Sequence, residues 1–268
     1  MTAIEWTDAT WNPVTGCDRI SPGCDHCYAL TMAGRLKLMG QPKYQADGDP
    51  RTSGPGFAVT CHPDELARPL SWRKPRMVFV NSMSDLFHQD VPDEFIIQVW
   101  GSMVASSSTF QVLTKRPQRM AQLLSAPDTH ARVEAEVHRR QTHMFAGWPY
   151  PTIWLGTSIE SDRYTFRADH LRATPAAVRF VSLEPLLGPL PSLDLTGIDW
   201  AIVGAESGKD ARLMEHEWVR EIKAKAEAAG TALFVKQLSG GVHAVKDMEL
   251  FPEDLRIRQW PARQVVAS

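Results

Sequence analysis

Residues 76–87 read RMVFVNSMSDLF. Met77 to Val80 form an apolar run, which then breaks into Asn81, Ser82, Ser84 and Asp85. A short continuous run of β-branched and aromatic residues is the pattern of a strand buried on both faces, as in a parallel sheet. The pattern recurs in TFQVLTKR (109–116), TIWLGTSIES (152–161), VRFVSLEPLLG (178–188), DWAIVGAESG (199–208) and ALFVKQL (232–238). Two weaker candidates are ATWNPVTG (9–16) and GFAVTC (56–61). Helix-like stretches lie between them, at 29–39, 93–106, 116–124, 161–173 and 217–229. Pro92 and Asp93 mark a helix start, and Trp218, Ile222 and Ala226 share one face of the last stretch. Strands alternating with helices predict an α/β protein. The expected architecture is one domain, 1–268, built as a TIM-like β/α barrel, partial or full, of six to eight parallel strands with surrounding helices. Two segments interrupt the pattern. Residues 40–56 are a Gly/Pro-rich loop expected to act as a lid or spacer, and 126–151 is an inserted helix and loop.

In such barrels chemistry gathers where strands end. The runs here end in Asn81, Ser82, Ser84 and Asp85; in Lys115 and Arg116; in Ser158 and Glu160; in Glu184; in Glu206 and Ser207; and in Lys236 and Gln237. A single carboxylate in such a place also serves as a helix cap. Six strands ending alike point to a site, so Asp85, Lys115, Glu160, Glu184 and Glu206 are expected to face one cavity.

The first candidate strand leads into GCDRISPGCDHCYA (16–29), which holds three of the four cysteines with the spacing Cys17-x6-Cys24-x2-Cys27. Gly16, Pro22 and Gly23 make this a tight loop, where three thiolates can converge. Structural zinc needs four ligands, usually as two close pairs, and this chain offers one close pair. Completing a zinc site would need Cys61, His26 or His62. Three thiols without a second pair also suit an iron–sulfur cluster with one iron left open. Cys61 is expected to stand apart, at the end of a short strand.

The composition is that of a soluble globular protein, 43% apolar and 22% charged. A net charge of −2 gives no general attraction to nucleic acid or membrane. RPLSWRKPR (68–76) adds a local basic patch with Arg68, Arg73, Lys74 and Arg76, to which Lys115 and Arg116 are joined in this reading. No signal peptide or membrane-length apolar run is read, so the expected location is the cytoplasm. Cysteines there are metal ligands or catalytic thiols rather than a disulfide framework. Walker, G-x-G-x-x-G and G-x-S-x-G patterns are absent from the sequence.

The ordered set IEWTDATWNPVTGC…SPGCDHCYA, VFVNSMSDLFHQDVPDEF, FQVLTKRP, LGTSIES, VSLEPLLGP, IVGAESG and FVKQ resembles a phage- and prophage-encoded family of three-Cys-motif, radical-SAM-like proteins of unknown function. The likeness covers nearly the whole chain. More distantly it is similar to the spore-photoproduct-lyase-like branch of radical S-adenosylmethionine (SAM) enzymes, where a strand ends in Ser/Thr-Asp and a later one in Thr-Lys, as at Ser84-Asp85 and Thr114-Lys115. The usual motif separates its first two cysteines by three residues, and here six intervene. No cysteine stands in the Asn81–Asp85 turn, where a photoproduct lyase carries its hydrogen-donor thiol.

The resemblance implies a [4Fe–4S] cluster on Cys17, Cys24 and Cys27, whose open iron chelates SAM and whose electron releases a 5′-deoxyadenosyl radical. His26 stands where the family often places an aromatic near adenine, and Tyr28 is the alternative. Ser82, Ser84 and Asp85 are candidates for the SAM ammonium or substrate hydroxyls, and Lys115 for the SAM carboxylate or a substrate phosphate. Ser158 is a further candidate cofactor-binding residue at its strand end. Glu160, Glu184 and Glu206 are candidates for the ribose or the substrate. Asp85, Lys115 and Glu184 form the candidate catalytic set. The expected function is modification or repair of an unidentified substrate, nucleic acid or nucleotide by likeness, with an electron donor as partner and no membrane. The alternative is a non-enzymatic phage accessory protein, stabilised by zinc or a cluster, that binds nucleic acid or a partner protein.

Overall fold

The computed structural model describes residues 4–140, 147–208, 210–240 and 243–262. Residues 141–146 of the 126–151 insertion lie outside the described residues. The chain divides into two compact units, Met1–Leu155 with Thr174–Ala177, and Gly156–Ala173 with Val178–Ser268.

The first unit holds β1 (Ala9–Trp11), β2 (Val14–Thr15), α1 (Tyr28–Leu38), β3 (Thr60–Cys61), β4 (Met77–Val80), α2 (Asp93–Val104), β5 (Thr109–Thr114), α3 (Pro117–Leu124) and α4 (Thr129–Arg140). The division falls within β6 (Ile153–Ser158). The second unit continues with α5 (Arg167–Arg172), β7 (Val178–Leu183), β8 (Trp200–Gly204), α6 (His216–Ala229), β9 (Ala232–Gly240) and β10 (His243–Val245). The six clear apolar runs are β4 to β9. Every residue of β6 and β8 is buried, as expected of central parallel strands covered on both faces.

The strand order is β1-β4-β5-β6-β7-β8-β9-β10. β1 runs parallel to β4, β4 to β5, β7 to β8 and β8 to β9, while β10 folds back antiparallel on β9. The sheet is therefore mixed and mostly parallel, and it is not closed; of the partial or full barrel expected from the sequence, the α/β character and the eight mostly parallel strands are found, without closure. The physical reason lies in the end strands: β10 is a hairpin return, and β1 is only three residues long. The weak 9–16 run breaks at Asn12-Pro13. Its first half joins β4, and its second half, β2, pairs antiparallel with β3 in a separate two-stranded sheet.

The 40–56 loop is anchored. Lys43 forms an ion pair with Glu65, Thr15 donates to the Lys43 carbonyl at 3.4 Å, and Thr52 and Ser53 donate to Asp18 at 2.5 and 3.1 Å. The inserted α4 packs on α2, where a Cβ on Gly101 would meet the Glu136 Cβ at 2.5 Å. The basic patch read from the sequence separates into two. Arg68, Arg73, Lys74 and Arg76 are exposed before the start of β4, whereas Lys115 and Arg116 follow the end of the parallel β5. Six extended residues span about 20 Å. Among the described residues no helix is long and apolar enough to cross a membrane.

Candidate metal centre

Gly16 starts the cysteine loop in a place that admits no side chain. Its φ is +86°, and a Cβ would lie 2.0 Å from the Ala58 carbonyl oxygen and 2.7 Å from that of Phe57. Its N–H donates to the Met83 carbonyl at 3.0 Å. The loop thus leaves β2 wedged between two backbone segments. Pro22–Cys24 is a 3-10 turn, and Cys27 is the N-cap of α1. The N–H of Cys27 donates to the Cys24 carbonyl at 3.2 Å, so the x2 spacing is one tight turn at a helix start. Cys17 and Cys27 pack against the small apolar group of Ala29, Ala33, Phe57 and Met83.

The three thiols have different neighbours. Cys17 accepts a hydrogen bond from Arg116 Nη1 at 3.5 Å. Burial, with the Asp85 charge behind it, pushes the Cys17 thiol up to about 12, against the lowering pull of Arg116. Cys24 lies 3.7 Å from the Ser21 hydroxyl, which accepts from Lys115 Nζ at 3.2 Å. Burial alone would raise the Cys24 thiol. The Lys115 charge, backbone hydrogen bonds and the Ser21 hydroxyl bring it below the ordinary value. Burial raises Cys27, and backbone hydrogen bonds from Ala29 and Leu30 oppose it. Cys61 ends β3, half-buried, and burial alone raises its thiol.

Among the described residues, Asp18, His88 and Asp90 bring ligand atoms within 4.8 Å of one another. Thiolate donors suit zinc or an iron–sulfur cluster, and three of the four cysteines stand on this loop. Within the Asp18–His88–Asp90 trio, the His88 ring lies between the other two residues. His88 Nε2 lies 2.9 Å from Asp18, and the Asp90 N–H donates to His88 Nδ1 at 3.2 Å. Below the burial that opposes them, hydrogen bonds from Thr52, Ser53 and His88 hold the Asp18 carboxyl below its usual range.

Asp85 organises the wall beside the loop. One oxygen accepts from Thr114 Oγ1 at 2.7 Å and the Phe87 N–H at 3.0 Å; the other accepts from the Lys115 N–H and Arg116 Nη1, both at 3.0 Å. With four donors on its carboxylate, Asp85 is a positioning residue that fixes Thr114 to Arg116. The polar residues after β4 serve the same purpose. Ser84 donates to the Val14 carbonyl at 2.8 Å and Ser82 to Asn12 Oδ1 at 3.2 Å. Asn81 has φ +61° and accepts from the Val14 N–H at 3.3 Å; its Nδ2 is buried without a partner. Tyr28 and His26 are exposed, and the Tyr28 hydroxyl donates to the Ser82 carbonyl.

The strand-end carboxylates of the second unit each have a cation. Glu160 accepts from Arg167 Nη1 at 3.0 Å, with both side chains buried. That nitrogen also donates to the Ser158 carbonyl at 2.8 Å, and the guanidinium lies 4.2 Å from the Tyr164 ring centroid. Glu184 pairs with Lys236 above Gly204, where a Cβ would lie 3.1 Å from the carboxylate. Glu206 accepts from the Arg212 N–H and Nε, both at 2.9 Å. Gln237 donates to the Ala205 carbonyl, and its Oε1 is buried without a partner.

The structure thus brings Cys17, Cys24, Cys27, Asp85 and Lys115 together in the first unit. Ser158 and Glu160 meet on Arg167 in the second, and Glu184 and Glu206 occupy separate ion pairs there. Sequence reasoning did not anticipate Arg167, Arg212, Asp18 or His88. An arginine shortly downstream of Glu160 and of Glu206 was the available signal for Arg167 and Arg212.

An α/β protein with a three-thiol loop and charge-paired strand ends is the class that fold and site define. The chain belongs to a family described as "Protein of unknown function (DUF5131)", whose model matches residues 1–259. No curated protein and no solved structure matches it.

Proposed function

We propose that the protein is a radical-SAM-type iron–sulfur enzyme on a partial β/α barrel. Cys17, Cys24 and Cys27 hold a [4Fe–4S] cluster, and SAM is cleaved to modify or repair a substrate of the nucleic-acid or nucleotide class. The observation that carries this reading is the thiol loop itself: three cysteines on one short loop, with Arg116 donating to the Cys17 sulfur and Lys115 to the Ser21 hydroxyl beside Cys24. Cations beside thiolates offset the charge such a ligand set accumulates. When bound, the cluster supplies one-electron reduction of the sulfonium. An external one-electron donor is the required partner.

The chain's own residues bind and orient. Asp85 holds Lys115 and Arg116 toward the loop. Lys115 is the group to receive the SAM carboxylate. Tyr28, with its hydroxyl held by Ser82, presents an exposed ring at the loop's edge for stacking on adenine, beside His26. Glu184 and Lys236 form a partly accessible pair for substrate polar groups in the second unit.

Calorimetry of SAM on the anaerobically reconstituted protein tests this. A charge-assisted hydrogen bond contributes about 1.5–3 kcal/mol, so Lys115→Ala is expected to weaken binding roughly 10–100-fold. No SAM binding by fully iron-loaded wild type would remove the radical reading. Undiminished binding in Lys115→Ala would move the carboxylate site off β5. Stoichiometric zinc without iron would favour the accessory binding protein instead.

A further inference from the structure

We infer that Arg116 sets the electron affinity of this site by donating a hydrogen bond to the Cys17 sulfur from a guanidinium that Asp85 holds in place. The inference rests on the reading of Cys17, Cys24 and Cys27 as cluster ligands. It makes Arg116 a positioning and tuning residue rather than a catalytic one.

The geometry leaves the guanidinium little freedom. Nη1 lies 3.5 Å from Cys17 Sγ and 3.0 Å from Asp85 Oδ2, and Nη2 donates to the Asp18 carbonyl at 3.4 Å. The Arg116 backbone is fixed too, because its N–H donates to Thr114 Oγ1 at 2.8 Å. Thr114 in turn donates to Asp85. Three acceptors around one planar fork are a task for arginine; an ammonium cannot span them with fixed geometry. The other cation behaves differently. Lys115 reaches Cys24 by way of the Ser21 hydroxyl, and Cys27 is met by backbone N–H groups. Cys17 is thus the thiol with a direct cationic donor among these contacts.

A donor and a positive charge at a thiolate ligand stabilise the more negative, reduced state and raise the reduction potential. The step is the gain of one electron from an external donor. Arg116 stays protonated in both states, so no proton moves and no bond breaks. Asp85 offsets part of the guanidinium charge and keeps its fork aimed at sulfur.

The test is a redox titration with dithionite, followed by electron paramagnetic resonance of the reduced cluster. It compares anaerobically reconstituted wild type, Arg116→Gln and Arg116→Lys, each with its iron content measured. Arg116→Gln is expected to load iron like wild type and to disfavour reduction about tenfold, a midpoint roughly 59 mV more negative for a one-electron couple. Arg116→Lys is expected to show a smaller shift in the same direction, since it keeps the charge and loses the fork. A loaded Arg116→Gln with the wild-type midpoint overturns the inference and leaves the cluster reading intact. Loss of iron in both variants also overturns it, because Arg116 would then be a prop of the fold. A wild type that takes up no iron removes the cluster reading itself.

Discussion

Gly16→Ala is expected to destabilise the protein by about 2–4 kcal/mol and to abolish iron uptake, although it adds a single methyl group. The added carbon would sit 2.0 Å from the Ala58 oxygen and 2.3 Å from the Ala58 carbonyl carbon. Both are backbone atoms, so no rotamer change relieves the contact. Overpacking of this kind costs about 1–3 kcal/mol, and a residue with Cβ in the left-handed region adds about 1 kcal/mol. Relief requires β2 and β3 to part or Gly16 to leave Met83, and either displaces Cys17. Gly34, in the middle of α1, is the control: a Cβ there meets nothing within 4 Å. Gly34→Ala is expected to be neutral or to stabilise by up to about 1 kcal/mol, because alanine loses less backbone entropy in a helix. Urea titrations of both variants, with iron measured on each, check the contrast. Equal stabilities and equal iron in the two would show that the loop does not depend on its start at Gly16.

The second large effect lies in the other unit. Glu160 is 0% exposed and its partner Arg167 is 3% exposed. Removing one partner of a buried ion pair leaves the other charge uncompensated, at a cost of about 3–5 kcal/mol. Glu160→Ala is expected to fall in that range, with a melting temperature lower by about 10 °C. Glu160→Leu with Arg167→Met, which removes both charges and keeps volume, is expected to recover most of the loss. Thermal melts of the three proteins decide it. A single substitution that melts like wild type would mean that the glutamate is held for binding rather than for the fold.

The strands were legible because buried strands have nowhere to hide their composition. WAIVG and IWLGTS are apolar or small throughout, and both are wholly buried. The 9–16 run was misread as one strand because its break depends on partners. Pro13 cannot donate to a ladder, and Asn12 Oδ1 instead accepts from the Met83 N–H at 3.0 Å. β10, three residues long, has no periodicity to detect. Closure of the sheet was not legible at all, since it turns on which edges pair and no single run encodes that. The strand-end residues were legible as positions but not as roles. In a string of letters Asp85 looks like a catalytic acid and Glu206 like a ligand for ribose or substrate. Their four-donor and bidentate surroundings appear only once Thr114 to Arg116, and Arg212, have folded beside them. Cys61 ends the short strand β3 and pairs opposite Val14 of β2.

The central claim is that three thiols on one loop hold an iron–sulfur cluster, and iron and acid-labile sulfide per chain measure it most directly. The protein is purified without oxygen as wild type, Cys24→Ala and Cys61→Ala. The account predicts about four irons and four sulfides in wild type and in Cys61→Ala, and most of both lost in Cys24→Ala. Undiminished iron in Cys24→Ala, or stoichiometric zinc with no iron in wild type, would contradict it.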